Sequence, residues 1–231
     1  MWNGMKKAIT FSYDDGVTQD RRLVKIFDKY GLKATFNLNS GFLGTANSLV
    51  REGVTVSHCK PRACEVREIY KNHEIAAHTL THPSLPSLPD EEIVRQVEDD
   101  RLALSEIAGY DVVGMAYPGG GKNCDERTAE IIRNRTGIKY ARTVYSSHGF
   151  GIPENPYMLS PTVHHHGEWD EMIRLGEEFL RLETDEPKLL YIWGHSYEFD
   201  INDGWDAFEE FCRRIAGKSD IFYCTNREAL L

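Results

Sequence analysis

The chain has 231 residues, a length that suits one globular domain or one α/β barrel better than two. Hydrophobic residues make up 41% and charged residues 27%, enough for a core that needs no disulfides. Lysine and arginine total 27 against 36 aspartates and glutamates, a net charge of −9; this excludes the phosphate-neutralising surface of a nucleic-acid binder and any attraction to an anionic membrane.

Residues 1–13 hold only a short apolar stretch before Asp14 and Asp15, without the apolar core or small-residue cleavage site of a secretory signal. No apolar run is long enough to cross a bilayer. The expected location is cytoplasmic. Five cysteines, an odd number without a CxxC, fit a reducing compartment.

Short β-like runs alternate with helical patterns. Residues 8–13 (AITFSY) predict a strand, and Leu23, Ile26, Phe27 and Tyr30 recur at helical spacing before the stop signal Gly31. Residues 34–39 predict the next strand. The irregular stretch 41–60 reads as a long loop over one barrel end. A short helix over 61–71 and a buried strand over 74–77 follow. Pro89 and Asp90 open the longest helix, which runs to about Gly109. Residues 112–117 predict a strand that ends in Pro118 and three glycines. A helix over 125–134 and strands over 140–145 and 157–163 come next. A helix over 169–183, an apolar strand over 189–193, a helix over 205–215 and a strand over 221–224 close the chain. Repeated βα units favour a mainly parallel sheet, and about seven strands suit a closed or partly closed barrel. No GxGxxG or P-loop supports nucleotide binding.

The polar residues sit at informative places. Asp14 and Asp15 follow the first strand, His78 and His82 the strand over 74–77, Pro118–Gly121 the next, and His195 the strand over 189–193. In a parallel barrel these all fall on the C-terminal face and converge on one pocket. Each alone has a plain alternative: an Asp pair caps a helix, and two histidines four apart share a helical face. Together they suit metal-assisted hydrolysis. Two imidazoles and a carboxylate hold a divalent ion with an open position, a second carboxylate takes a proton, and a histidine opposite returns one.

These residues carry a family resemblance. AITFSYDDG followed by KATFNLNSG, HEIAAHTLTH, MAYPGGG and LLYIWGHS, in that order over residues 8–200, resemble the motifs of the polysaccharide deacetylases, carbohydrate esterase family 4 with the NodB homology domain. The resemblance implies an α/β fold, a distorted (β/α) barrel with about seven parallel strands, formed by a single domain over 1–231. It implies Asp14 as general base and His195 as general acid, with Asp15, His78 and His82 as metal ligands. The Gly119 N–H, just after Pro118, would meet the oxyanion, and Tyr117 and Trp193 would line the pocket. One divalent ion is implied, zinc by default for such ligands, with cobalt, nickel or iron(II) as alternatives. The implied partner is a small acetylated carbohydrate. N-acetyl hydrolysis leads the reading; an O-acetyl ester or a non-sugar cyclic amide calls on the same machinery, and a catalytically silent carbohydrate-binding module is the non-enzyme rival. The sequence departs from the family in two places. Ala116 stands where the family often has an arginine two residues before the motif proline, and the family's later Asp-Trp motif, which orients that arginine, is not recognisable. Arg142, on the strand after the Pro-Gly strand, is the candidate to orient Asp14 instead. His164, His165 and His166 read as a loop at the pocket rim.

Overall fold

The computed structural model describes residues 2–231. In chain order the first half holds β1 (Lys7–Asp14), α1 (Asp20–Tyr30), β2 (Ala34–Leu38), β3 (Ser48–Arg51), β4 (Val54–Ser57), α2 (Ala63–Ile69), β5 (Glu74–Ala77), α3 (Asp90–Val94) and α4 (Asp100–Ala108). The second half holds β6 (Gly114–Ala116), α5 (Glu126–Arg135), β7 (Tyr140–Arg142), β8 (Val163–His164), α6 (Trp169–Arg181), β9 (Lys188–Gly194), α7 (Trp205–Ile215), β10 (Ile221–Tyr223) and α8 (Asn226–Leu230).

Seven strands run β7-β6-β5-β2-β1-β9-β8, all parallel, and β10 joins the start of β1. The sheet curls until its edges approach each other. Residues 156–165 bridge them: Leu159 pairs with Arg142 of β7, and Thr162 and His165 donate to the carbonyls of Tyr191 and Trp193 on β9. The strand expected over 157–163 is therefore two short pairings, because this one segment must reach both edges. This is a curled (β/α) barrel. Helices pack outside it as a belt in the order α5, α3–α4, α2, α1, α7, α6.

Every residue of β1 is buried, since helices cover its outer face and the barrel its inner one. Its side chains alternate. Phe11 and Tyr13 point outward onto Phe27 and Phe208. Thr10, Ser12 and Asp14 point inward, into a polar interior. There Glu74 accepts from the hydroxyls of Thr35 and Tyr140, each at 2.7 Å, and from the Arg227 N–H at 2.9 Å. Asn226 links Thr10 (2.8 Å) to Tyr191 (2.7 Å), so α8 plugs the barrel's N-terminal end.

Two further elements differ from the sequence expectation. Within 41–60, β3 and β4 pair as an antiparallel hairpin rather than an irregular loop. Alternation there is weak because only Val56 of the hairpin is buried. The helix expected over 89–109 contains a π-helical turn, Arg95–Asp99, between α3 and α4. The extra residue of such a turn re-aims side chains, and both Gln96 and Asp100 point at the loop after β5. Local propensity carries no signal for it.

Asp20 is wholly buried at the start of α1 and accepts from Tyr70 Oη at 2.6 Å and Ser196 Oγ at 2.5 Å. Burial raises its pKa to about 7. The folded state therefore binds this proton more tightly than the unfolded chain, and stability falls as pH rises from about 4 to 7. Asp20→Asn copies the neutral acid. It is expected to raise the melting temperature at pH 8 and change it little at pH 5, measured by thermal denaturation at both pH values.

Candidate active site

The C-terminal ends of β1, β5, β6 and β9 open on one cavity of about 260 Å³. Its walls include Asp14, Asp15, His78, His82, Gly119, Trp193 and His195.

Asp14 ends β1 and is 2% exposed. Arg142 Nη2 donates to both its oxygens at 2.5 Å, and Asn37 Nδ2 to its Oδ1 at 2.8 Å. Arg142 is fully buried; its Nε donates to Ser12 Oγ at 3.3 Å, its Nη1 to the Thr143 carbonyl at 3.0 Å, and its guanidinium lies 4.5 Å from the Trp193 ring. The contact anticipated between Arg142 and Asp14 is present. Register explains it: Arg142 lies across from Ala116 on a face that points into the barrel, so an arginine one strand further on fills the space that Ala116 leaves. Burial pushes the Asp14 pKa up, but Arg142, with His78 and His195, outweighs burial and holds the carboxyl below its ordinary value.

Asp15 follows in the left-handed region (φ 75°), which turns its carboxylate away from Asp14. Its Oδ1 lies 3.8 Å from His78 Nε2 and 3.6 Å from His82 Nε2. One donor atom from each of these three residues falls within 4.8 Å of the others. His78 Nδ1 lies 2.8 Å from the Ala116 carbonyl, so it carries the ring proton and leaves the Nε2 lone pair free. Burial lowers the His78 pKa to about 4, which keeps the ring neutral. The three residues thus fit a divalent cation.

The two histidines do not share a helical face. Residues 78–82 form a loop, with Thr79 at φ 66° and His82 at φ 57°. The loop is held from behind. Asp100 accepts from the His78 N–H at 3.0 Å and the Ser40 N–H at 2.7 Å, and Asn39 donates to the carbonyls of His78 (2.5 Å) and Thr79 (2.8 Å). The Gln96 carbonyl accepts from Leu80 N–H, and its side chain accepts from Thr81 N–H. Asp15 is held too: His58 Nε2 lies 3.1 Å from its Oδ2, and Lys60 Nζ donates to its carbonyl at 2.5 Å.

His195 follows β9, with Nε2 4.0 Å from Asp15 Oδ2. Glu198 accepts from the His195 N–H at 2.8 Å and lies 3.2 Å from its Nδ1. Nε2 of His164 and of His165 also lie 3.2 and 3.1 Å from Glu198. Burial disfavours charge on His195, but Glu198, with Asp15 and Asp14, outweighs it and raises the imidazole pKa to about 9.

Some expected positions need correction. Tyr117 does not line the cavity: its ring is fully buried and its hydroxyl donates to the Tyr157 carbonyl at 2.9 Å. Pro118 is buried behind the wall, which Gly119 and Gly120 form instead. The strand ends at Ala116, so Tyr117 points outward by alternation. His165 is not at the rim. It is 1% exposed, stacked 4.3 Å from Phe199, with Nδ1 2.9 Å from the Tyr13 hydroxyl. His164 stacks on Trp193, and His166 pairs with Glu52 at 2.9 Å. Sequence reading missed Glu198, Asn37, Asp100 and His58. Only Glu198, three residues after His195, left a trace there, a capping-box spacing.

The polysaccharide deacetylase family profile matches residues 3–141, more than half of the chain. The chain belongs to the polysaccharide deacetylase family. No curated protein matches its sequence. Solved structures resemble it in fold. A Streptococcus pyogenes deacetylase in complex with acetate is 20% identical with a TM-score of 0.51, over 64% of this chain and 61% of that one. A carbohydrate esterase family 4 pseudoenzyme from Bacillus anthracis is 17% identical with a TM-score of 0.57, over 91% of this chain and 60% of that one. A mutant of a Bacillus subtilis peptidoglycan deacetylase is 16% identical with a TM-score of 0.56, over 97% and 90%. The chain thus spans about three fifths of the first two. Among the described residues, no helix of this family member is long and apolar enough to cross a membrane.

Gly194 joins β9 to His195 where the His165 ring passes. A Cβ there would lie 2.5 Å from His165. Gly194→Ala is expected to cost about 1–3 kcal/mol, the scale of forced overpacking, measured by chemical denaturation.

Proposed function

We propose that residues 1–231 form one metal-dependent deacetylase domain that hydrolyses the N-acetyl group of a small acetylated sugar. The observation that carries this reading is Asp14, a buried carboxylate kept ionised by Arg142, beside the three donors Asp15, His78 and His82. Asp15, His78 and His82 would hold the divalent ion, which would supply Lewis acidity toward the acyl carbonyl and a water. Zinc suits two imidazoles and a carboxylate.

The chain's own groups do the rest. Asp14 accepts a proton from the attacking water through Oδ2, the oxygen 4.0 Å from His78 Nε2. The Gly119 N–H on the cavity wall donates to the developing oxyanion. His195, kept protonated by Glu198, returns a proton from Nε2 to the leaving nitrogen. Trp193 closes the wall and stacks on Arg142. A cavity of about 260 Å³ is at the small end for ligand sites and suits an acyl group with one sugar ring. A silent binding module has no use for an acid and a base held this way.

The deciding experiment measures acetate release from N-acetyl and O-acetyl sugars by protein loaded with zinc, cobalt or nickel. Release from N-acetylated sugars is expected. Absence of release from every substrate with every metal would overturn the reading.

Two variants separate the roles. Asp15→Ala is expected to lose stoichiometric metal, whereas Asp14→Asn keeps it and loses most turnover; elemental analysis beside the assay reads both. Arg142→Met is expected to cut turnover roughly ten- to a hundredfold, the scale for a misplaced catalytic group, with metal content unchanged. Arg142→Lys, which keeps the charge but not the planar fork, should fall between wild type and Arg142→Met.

A further inference from the structure

His165 is the most deeply buried of the three consecutive histidines and does not line the cavity. No substrate can touch its ring. The ring is nonetheless held from several sides. Its backbone N–H donates to the Trp193 carbonyl of β9 at 2.9 Å, and the ring packs among Phe199, Phe208 and Tyr13. Gly194, the residue before His195, leaves the space through which the ring passes.

The two ring nitrogens meet different groups. Nδ1 lies 2.9 Å from the Tyr13 hydroxyl, and Nε2 lies 3.1 Å from Glu198 Oε2. A lone pair on Nε2 would face the carboxylate and be repelled. The proton therefore sits on Nε2, and the Tyr13 hydroxyl donates to Nδ1. The other oxygen of Glu198, Oε1, lies 3.2 Å from His195 Nδ1. A line of polar groups thus runs from Tyr13 through His165 and Glu198 to His195. It starts on β1 beside Asp14, so the strand that carries the base also anchors the acid. Glu198 itself stands in the short turn Ser196–Asp200, which core packing does not fix by its own face. His164 approaches Glu198 as well, at 3.2 Å, from a more exposed position.

We propose that His165 is a positioning residue for proton delivery: its Nε2–H holds Glu198, and Glu198 holds the His195 ring so that Nε2 points at the leaving nitrogen. This rests on the deacetylase reading above. In the step served, the C–N bond breaks, its electron pair stays on nitrogen, and that nitrogen takes the proton from His195 Nε2. An amine leaves only with that proton, whereas 4-nitrophenolate leaves without one. Loss of His165 therefore falls on amide substrates.

The test measures kcat/KM on an N-acetylated sugar and on 4-nitrophenyl acetate for zinc-loaded wild type, His165→Phe and His165→Gln. Phenylalanine keeps the ring packing and removes the donor; glutamine restores an N–H near the Nε2 position. The amide-to-ester ratio, taken within each protein, is expected to fall roughly ten- to a hundredfold in His165→Phe, the scale for a misplaced catalytic group. His165→Gln should recover most of it. A merely structural role would lower both substrates together, so an unchanged ratio in His165→Phe, or an equal fall in both variants, would overturn the proposal. If wild type hydrolyses neither substrate, the deacetylase reading fails, and proton NMR of the imidazole N–H groups then decides His165 alone. An exchange-protected His195 Nδ1–H that disappears in His165→Phe and returns in His165→Gln supports the role. A signal absent from wild type, or the same in all three proteins, overturns it.

Discussion

The buried pair between Arg142 and Asp14 is the contact around which the barrel's upper half is organised. Both side chains are out of water, so each depends on the other: a lone buried charge of this kind costs about 3–5 kcal/mol. The pair is satisfied on all sides, by Ser12, Asn37 and the Thr143 carbonyl, with Trp193 as a lid on the guanidinium. It ties β1, β2, β7 and β9 together across the interior. It also fixes the rotamer and the ionisation of Asp14, the carboxylate that faces the cavity beside the three ligand candidates.

The remaining site residues come from loops, and each loop is braced by a buried polar group. Asp100, placed by the π-helical turn, takes the His78 N–H at the base of the loop after β5 and the Ser40 N–H in the loop after β2. Asn39 takes that loop's carbonyls. Glu198 collects three imidazoles and orients His195. The hairpin over 48–57 brings His58 and Arg51 to the opposite rim. Site geometry is thus set by rigid polar contacts rather than by the loops' own conformational preferences.

The sequence by itself determined the parallel α/β plan. Alternating apolar runs and helical spacings located most strands and helices, and the polar residues at strand ends pointed to one face. Asp14, Asp15, His78, His82 and His195 were legible because the side chains that meet there must sit just past the strands that carry them. Arg142 was legible as a candidate only through the family resemblance, as an arginine on the strand next to the one where Ala116 stands in place of the family's arginine.

Tertiary structure alone decided the rest. Whether Arg142 faced in or out depended on register, which a period of two leaves open by one residue. The same ambiguity sent Tyr117 away from the cavity. The loop conformation of 78–82 rests on positive φ angles at Thr79 and His82, which local sequence does not favour and only Asp100, Asn39 and Gln96 stabilise. Glu198 and His58 are placed by contacts to residues far along the chain, His58 next to a hairpin with almost no buried face. Such contacts leave no periodic signature, because they are specified by the fold's closure and not by the segment that makes them.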